Sequence, residues 1–188
     1  SGTVFLDGKQ TIRLTGPDLV ELRQKTISFI FQDANLLPDL NALDNVAQPL
    51  RHQGVMPRPA REKARALLEK LGIGDRWMGM VEELSGGEQQ RVAIARALIT
   101  EPKLILADEP IASLDPVASE TVMMHLQKLN QDRKITIIAT VHSIDIVKKY
   151  STRVLGLREG SLIFDGSVAD MDDAVVKSIY DKDIYEDS

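Results

Sequence analysis

Residues 104–141 constrain the fold most. "LILA" at 104–107 and "ITIIATV" at 135–141 are short apolar runs, and between them Asp115-Pro116 opens a stretch with Ala118, Val122, Leu126 and Leu129 at helical spacing. Unbroken apolar strands are expected where both faces of a parallel sheet are covered. Asp115 suits an N-cap, and the fixed φ of Pro116 suits the first helical position. A strand–helix–strand unit of this kind places its strands parallel, with a right-handed crossover. The chain therefore reads as α/β. Asp108, Glu109 and His142 then lie past the carboxyl ends of two strands of one sheet. Open α/β sheets bind their ligands at that edge.

"TISFIFQ" at 26–32 predicts another short buried strand, ending at Gln32. From Asp33 the pattern turns helical. Ala60, Ala64, Leu67, Leu68 and Leu71 form one stripe, stopped at Gly72. After Glu88, Val92, Ala95, Leu98 and Ile99 share a face, and the helix must end near Thr100 because Pro102 biases Glu101 away from helix. "TVFLDGKQTIRL" predicts a hairpin turning at Asp7-Gly8, and "RVLGL" with "SLIFDG" a second one around Arg158-Glu159-Gly160. A short helix, "DMDDAVVKSIY", precedes an acidic end.

With 188 residues, 43% of them hydrophobic, the chain has enough apolar content for one core or for a core with an insert. A net charge of −5 without a basic block disfavours nucleic acid as partner. The absence of cysteine excludes disulfides, zinc thiolates and cysteine nucleophiles. No apolar run approaches the roughly 20 residues of a membrane-spanning helix. The chain opens at Ser1 and runs at once into strand-like sequence, so an N-terminal part of the domain is expected upstream.

Ser85-Gly86-Gly87-Glu88 has the form of a capping box, a hydroxyl at the N-cap and a carboxylate three residues on. Two glycines in the first turn are poor helix design, at roughly 1 kcal/mol each against alanine. They make sense if a phosphate must approach the free N–H groups at the helix start, and they also fit a tolerant turn. The Asp-Glu pair at a strand end suits nucleotide hydrolysis: the first carboxylate serves Mg²⁺ and the second orients and deprotonates water. It equally suits an ordinary strand exit. Gln32 fits either a strand-end polar group or a contact to metal and water. His142 is placed to hydrogen-bond a γ-phosphate. His125 reads as structural and His52 as a surface residue. The cap alone explains Asp115.

Together these segments resemble the ATP-binding subunit of ABC transporters. "LSGGEQQR" is similar to that family's signature motif and "LILADEP" to its Walker B strand. "IFQ" resembles the Q-loop, "SLD" at 113–115 the D-loop, and "TVHS" around His142 the H-loop. The 51 residues from Asp33 to Glu83 are the size of a transporter-type helical subdomain and carry no long heptad run. The resemblance implies a P-loop NTPase-type, mostly parallel sheet with an antiparallel β region and a helical insert. It divides the chain into a core lobe, 1–32 with 88–188, and a helical subdomain, 33–87.

The resemblance also implies roles. Asp108 serves Mg²⁺, Glu109 is the general base, and His142 contacts the γ-phosphate. Gln32 senses metal and water and relays to the membrane subunits. Ser85, Gly86 and Gly87 bind ATP held by the opposite subunit, and Asp115 links the two sites. The implied partners are a second ATPase subunit, a membrane permease docking near the Q-loop and helical subdomain and, for an importer, a substrate-binding protein. The implied location is the cytoplasmic face of the cell membrane. No G-x-x-x-x-G-K-[ST] occurs in the 188 residues, so the first core strand and phosphate loop are expected to be missing and the chain alone to be inactive. Exposed apolar sheet surface is a further expectation. "DEPIASLDP", "GLREGSLIFDG" and "IYDKD" resemble phosphonate importers. "NVAQPLRHQGV" through "LGIGDRW" is closer to lipoprotein-release and macrolide-efflux subunits. The phosphonate type is favoured over these and over non-transport ABC ATPases.

Overall fold

The computed structural model describes residues 5, 6, 8–10, 16–112 and 114–180. These fall into two compact units, residues 1–140 and 141–188.

In the first unit, β1 (Phe5–Leu6) and β2 (Lys9–Gln10) pair antiparallel, with Gly8 at φ +74° in the turn. Asp7 lies outside the described residues. Helix α1 (Pro17–Lys25), which the apolar pattern did not announce, buries no side chain fully. Strand β3 (Ile27–Ile30) follows, then α2 (Ala42–His52), α3 (Pro57–Lys70), α4 (Gly86–Leu98), β4 (Leu104–Ala107), α5 (Pro116–Arg133) and β5 (Thr136–Ala139). Of the first expected stripe, Ala60, Ala64, Leu68 and Leu71 are buried and Leu67 is half-buried, and Gly72, at φ +71°, follows α3. Val92, Ala95, Leu98 and Ile99 are buried along and just past α4.

Strands β3, β4 and β5 form a parallel sheet in that order. Register puts Ser28, Ile30, Ile105, Ala107, Ile137 and Ala139 on one face, and Ile27, Phe29, Leu104, Leu106, Thr136 and Ile138 on the other. Helix α4 packs on β3 and α5 on β5. The first face is closed, with Ile30 and Ile105 fully buried. The second is open: Phe29 is 39% exposed and Ile138 53%. The apolar runs therefore do not mark strands covered on both sides. Their apolar character is real, but the described residues cover one face, and the exposed apolar sheet surface expected from the sequence is present there. Strand β3 also stops at Ile30, two residues short of Gln32, and the helical pattern begins at Ala42 after a loop.

The second unit contains α6 (Ile144–Tyr150), the antiparallel pair β6 (Arg153–Arg158) and β7 (Ser161–Ser167), and α7 (Asp173–Ile179) capped by Asp172. The expected hairpin turns at Glu159 and Gly160, both left-handed, at φ +49° and +77°. Arg153 grips Asp165 across the strands with two hydrogen bonds of 2.8 Å. The "IYDKD" segment runs on beyond the described residues.

Candidate functional site

The end of β4 is held from both sides. The Asp108 N–H donates to the Ile30 carbonyl of β3 at 2.8 Å, and the Thr140 N–H donates to the Ala107 carbonyl at 3.0 Å. Immediately beyond, Glu109 has a left-handed backbone at φ +43°. A non-glycine residue held there costs about 1 kcal/mol or more, and such strain persists where surrounding contacts impose it. The Glu109 N–H donates to Thr140 Oγ1 at 2.8 Å. The same hydroxyl donates to Asp108 Oδ1 at 2.8 Å. One side chain at the end of β5 thus engages both residues of the Asp-Glu pair. Asp108 is exposed, and its second oxygen has no hydrogen bond or ion pair among the described residues. A hard, solvent-facing carboxylate oxygen fits Mg²⁺, which keeps most of its waters and needs few protein ligands.

Gln32 is exposed in the turn after β3. Ile30 pairs with Ala107, so this turn and Asp108 share one sheet edge. The loop that follows is tied down strongly. Ala34 and Asn35 are both left-handed, at φ +55° and +45°. Arg96 of α4 donates to their two carbonyls, at 2.8 Å to Ala34 and 2.6 Å to Asn35. Burial alone lowers the pKa of this guanidinium from its usual value. Asn45, fully buried, accepts from the Leu37 N–H at 2.8 Å and donates to the carbonyls of Leu37, Leu40 and Asn41 at 3.0, 3.0 and 3.1 Å.

At the start of α4 the capping box forms in both directions. Ser85 Oγ accepts from the Glu88 N–H at 3.3 Å, and Glu88 Oε2 accepts from the Ser85 N–H at 2.8 Å. The hydroxyl also donates to Glu88 Oε2 at 2.9 Å. Hydrogen bonding from the Ser85 N–H, then from its hydroxyl, with Arg76 nearby, holds the Glu88 carboxyl below its usual range against the effect of burial. The box satisfies Glu88 and, through the Ser85 carbonyl, Gln89, whose N–H donates at 2.8 Å. The N–H groups of Gly86 and Gly87 face no hydrogen-bond partner among the described residues, as an anion site at a helix N-terminus requires. Gly87 has a packing reason as well: a Cβ there would lie 3.3 Å from Ala118 Cβ of α5. The starts of α4 and α5 therefore touch. Asp115 caps α5 through Oδ1, accepting from Val117 and Ala118 at 2.9 and 3.0 Å. Ser113 lies outside the described residues.

His142 belongs to the second unit, where it is exposed and its carbonyl accepts from the Tyr180 hydroxyl at 3.3 Å. His125 Nδ1 sits 2.6 Å from the Thr121 carbonyl within α5, and His52 is exposed. The first unit thus brings together Gln32, Asp108, Glu109 and Thr140 at one edge, and Ser85, Gly86, Gly87 and Asp115 at two touching helix starts. Thr140, Arg96 and Asn45 escaped the sequence reading. A hydroxyl directly after the apolar stretch Ile137–Ala139 was the signal for Thr140, whereas Arg96 and Asn45 sit within helical patterns that gave them no mark.

A model of the ABC transporter family matches residues 1–112. The chain is 41% identical, over a 195-position alignment, to the phosphonates import ATP-binding protein PhnC of Staphylococcus aureus (strain USA300), covering 100% of this chain and 76% of that protein. The same protein from strain NCTC 8325 / PS 47 matches equally. Among solved structures the chain is similar to the ATP-binding cassette MJ0796 in a dimeric post-hydrolysis state bound to ADP and Pi. The TM-score is 0.81 and the identity 35%, over 89% of this chain and 74% of that one. It is also similar to cbiO1 of Clostridium perfringens, part of the ABC transporter complex cbiONQ, with a TM-score of 0.80 and 31% identity over 89% of this chain and 66% of that one. With these likenesses spanning the sheet, the Asp-Glu edge and the glycine-led helix, the chain belongs to the ATP-binding subunits of ABC transporters.

Proposed function

We propose that this chain serves a phosphonate importer and that its two clusters are halves of one composite ATP site. The carrying observation is the sheet edge where Asp108 and Glu109 are fixed side by side, in a chain 41% identical along its whole length to a phosphonate import subunit. Two such subunits pair. Ser85, Gly86 and Gly87 of one grip the γ-phosphate of ATP seated on the other, and Asp115 communicates between the sites. Glu109 deprotonates the attacking water, His142 contacts the γ-phosphate, and Gln32 reports on metal and water to a permease. Asp108 holds Mg²⁺, which when bound neutralises charge on the phosphates. Residues 33–87 act as a helical subdomain on a core lobe of 1–32 and 88–188. A permease docks beside the loop after Gln32, where a cleft of about 420 Å³ is lined by Phe29, Phe31, Asn35 and His52. A substrate-binding protein delivers the phosphonate, and the subunit works at the cytoplasmic face of the membrane.

The 188 residues contain no G-x-x-x-x-G-K-[ST] to wrap the β- and γ-phosphates, so by themselves they do not turn over ATP. Titratable hydrolysis by the purified chain would defeat that statement. The site is tested in a transporter assembled from subunits that carry a phosphate loop together with these residues. Glu109→Gln should lower ATP hydrolysis by about 10²–10⁴-fold, as loss of a general base does, while ATP still drives pairing. Near-normal turnover would remove Glu109 from the chemistry. Uptake of radiolabelled methylphosphonate tests the cargo, and ATP-dependent export of lipoprotein or macrolide in its place would overturn the import reading.

A further inference from the structure

We infer that Thr140 is a positioning residue for the hydrolytic pair, setting Asp108 and Glu109 through a single hydroxyl. This rests on the reading of those two residues as metal-holding and base. The hydroxyl has one proton and two lone pairs. Its proton is committed to Asp108 Oδ1 and a lone pair to the Glu109 N–H, both at 2.8 Å. The first bond fixes one carboxylate oxygen and leaves the other for the metal's shell. The second anchors the main chain at the position where φ is +43°. Neither the Asp108 carboxylate nor the Glu109 main chain can change its setting without disturbing the hydroxyl they share. Thr140 is itself exposed, and its N–H is secured to Ala107 at 3.0 Å, so it adds little to the core. Valine would keep its shape and lose both bonds, whereas serine would keep both.

The test uses Thr140→Val and Thr140→Ser, with Thr140→Ala as a second deletion should valine fold poorly. The first readout needs neither nucleotide nor metal: hydrogen exchange of the Glu109 amide in the full chain, with the melting temperature alongside. The second is the Mg²⁺ dependence of ATP hydrolysis in the assembled transporter. Valine and alanine should speed Glu109 exchange at least about tenfold, the worth of a hydrogen bond to or beside a charged group. They should lower kcat by a similar factor and raise the Mg²⁺ concentration for half-maximal rate, with the melting temperature little changed. Serine should restore both readouts to within about threefold. Unchanged exchange in the valine and alanine variants would overturn the proposal, as would serine behaving like valine. If Asp108→Asn and Glu109→Gln abolish turnover while Thr140→Val keeps it, Thr140 is dispensable and the site reading stands. If Asp108→Asn and Glu109→Gln also keep turnover, the site reading has failed and this inference with it.

Discussion

The helical segment 42–98 and the sheet β3-β4-β5 lie in the same unit and solve burial differently. The helical segment buries its stripes largely among its own helices, with α4 also packed on β3. Helices α2, α3 and α4 pack against one another, and the buried side chains of Asn45 and Asp44 are satisfied by neighbours, although Arg91 Nε is buried without a hydrogen-bond partner among the described residues. Asn45 makes four hydrogen bonds, and Asp44 is gripped by Arg61 Nε and Nη2 at 2.8 and 2.6 Å. The sheet is one-sided. Its closed face holds Ile30 and Ile105, and its open face carries Phe29, stacked on Phe31 with ring centroids 6.0 Å apart. Helices present a stripe, and three stripes can seal a core, whereas a sheet has two faces and needs a layer on each. A satisfied polar residue is therefore critical in the first region, and the face a residue occupies is critical in the second.

Ile105→Ala on the closed face should have the largest effect, a loss of about 3–4 kcal/mol by urea unfolding, because the side chain is fully buried and leaves a cavity. A loss under about 1 kcal/mol would mean that the sheet is loosely packed on both faces. Asn45→Ala should cost about 2–3 kcal/mol, since it strands the Leu37 N–H and the Leu40 carbonyl and leaves the Leu37 and Asn41 carbonyls with one backbone donor each. A neutral result would break the contrast from the helical side. Acid should weaken Asp44's contribution. Hydrogen bonds from Arg61 lead in holding its carboxyl below the usual range, with the Arg61 and Arg51 charges and Asn41 assisting against burial. A folded pKa below the unfolded one stabilises fully above the ordinary carboxylate range, and that stability is lost as pH falls through the lowered folded value. Asp44→Asn should therefore flatten the acid limb of a melting-temperature profile, and an unchanged profile would remove the pair from the stability account. Ile138→Thr on the open face should shift stability by no more than about 0.5 kcal/mol. A cost near that of Ile105→Ala would show the face to be covered.

Much of the architecture was legible because its signals are local. Asp115-Pro116 begins α5, Gly72 follows α3, Glu159-Gly160 turns the second hairpin, and Ser85 with Glu88 closes a capping box. Each depends on residues within a few positions, where backbone sterics and one hydrogen bond decide the outcome. Strand positions were legible too, but not their covering. An apolar run records that a face tolerates burial and is silent on whether another element lies over it. Helices α1 and α6, neither of which carries a fully buried residue, were missed.

The sequence alone determined the family motifs, their order and the identity of the side chains that make an acidic strand end and a glycine-led helix. The three-dimensional packing decided the rest. It brought Thr140 onto Asp108 and Glu109 across 32 and 31 residues of chain, and Arg96 onto the Ala34 and Asn35 carbonyls across 62 and 61. It also gave Gly87 a neighbour in Ala118. These contacts join residues far apart in the chain, and their partners are named only once the strands are in register and the helices are laid against them. A hydroxyl at the end of one strand has no meaning until the neighbouring strand places an aspartate 2.8 Å away.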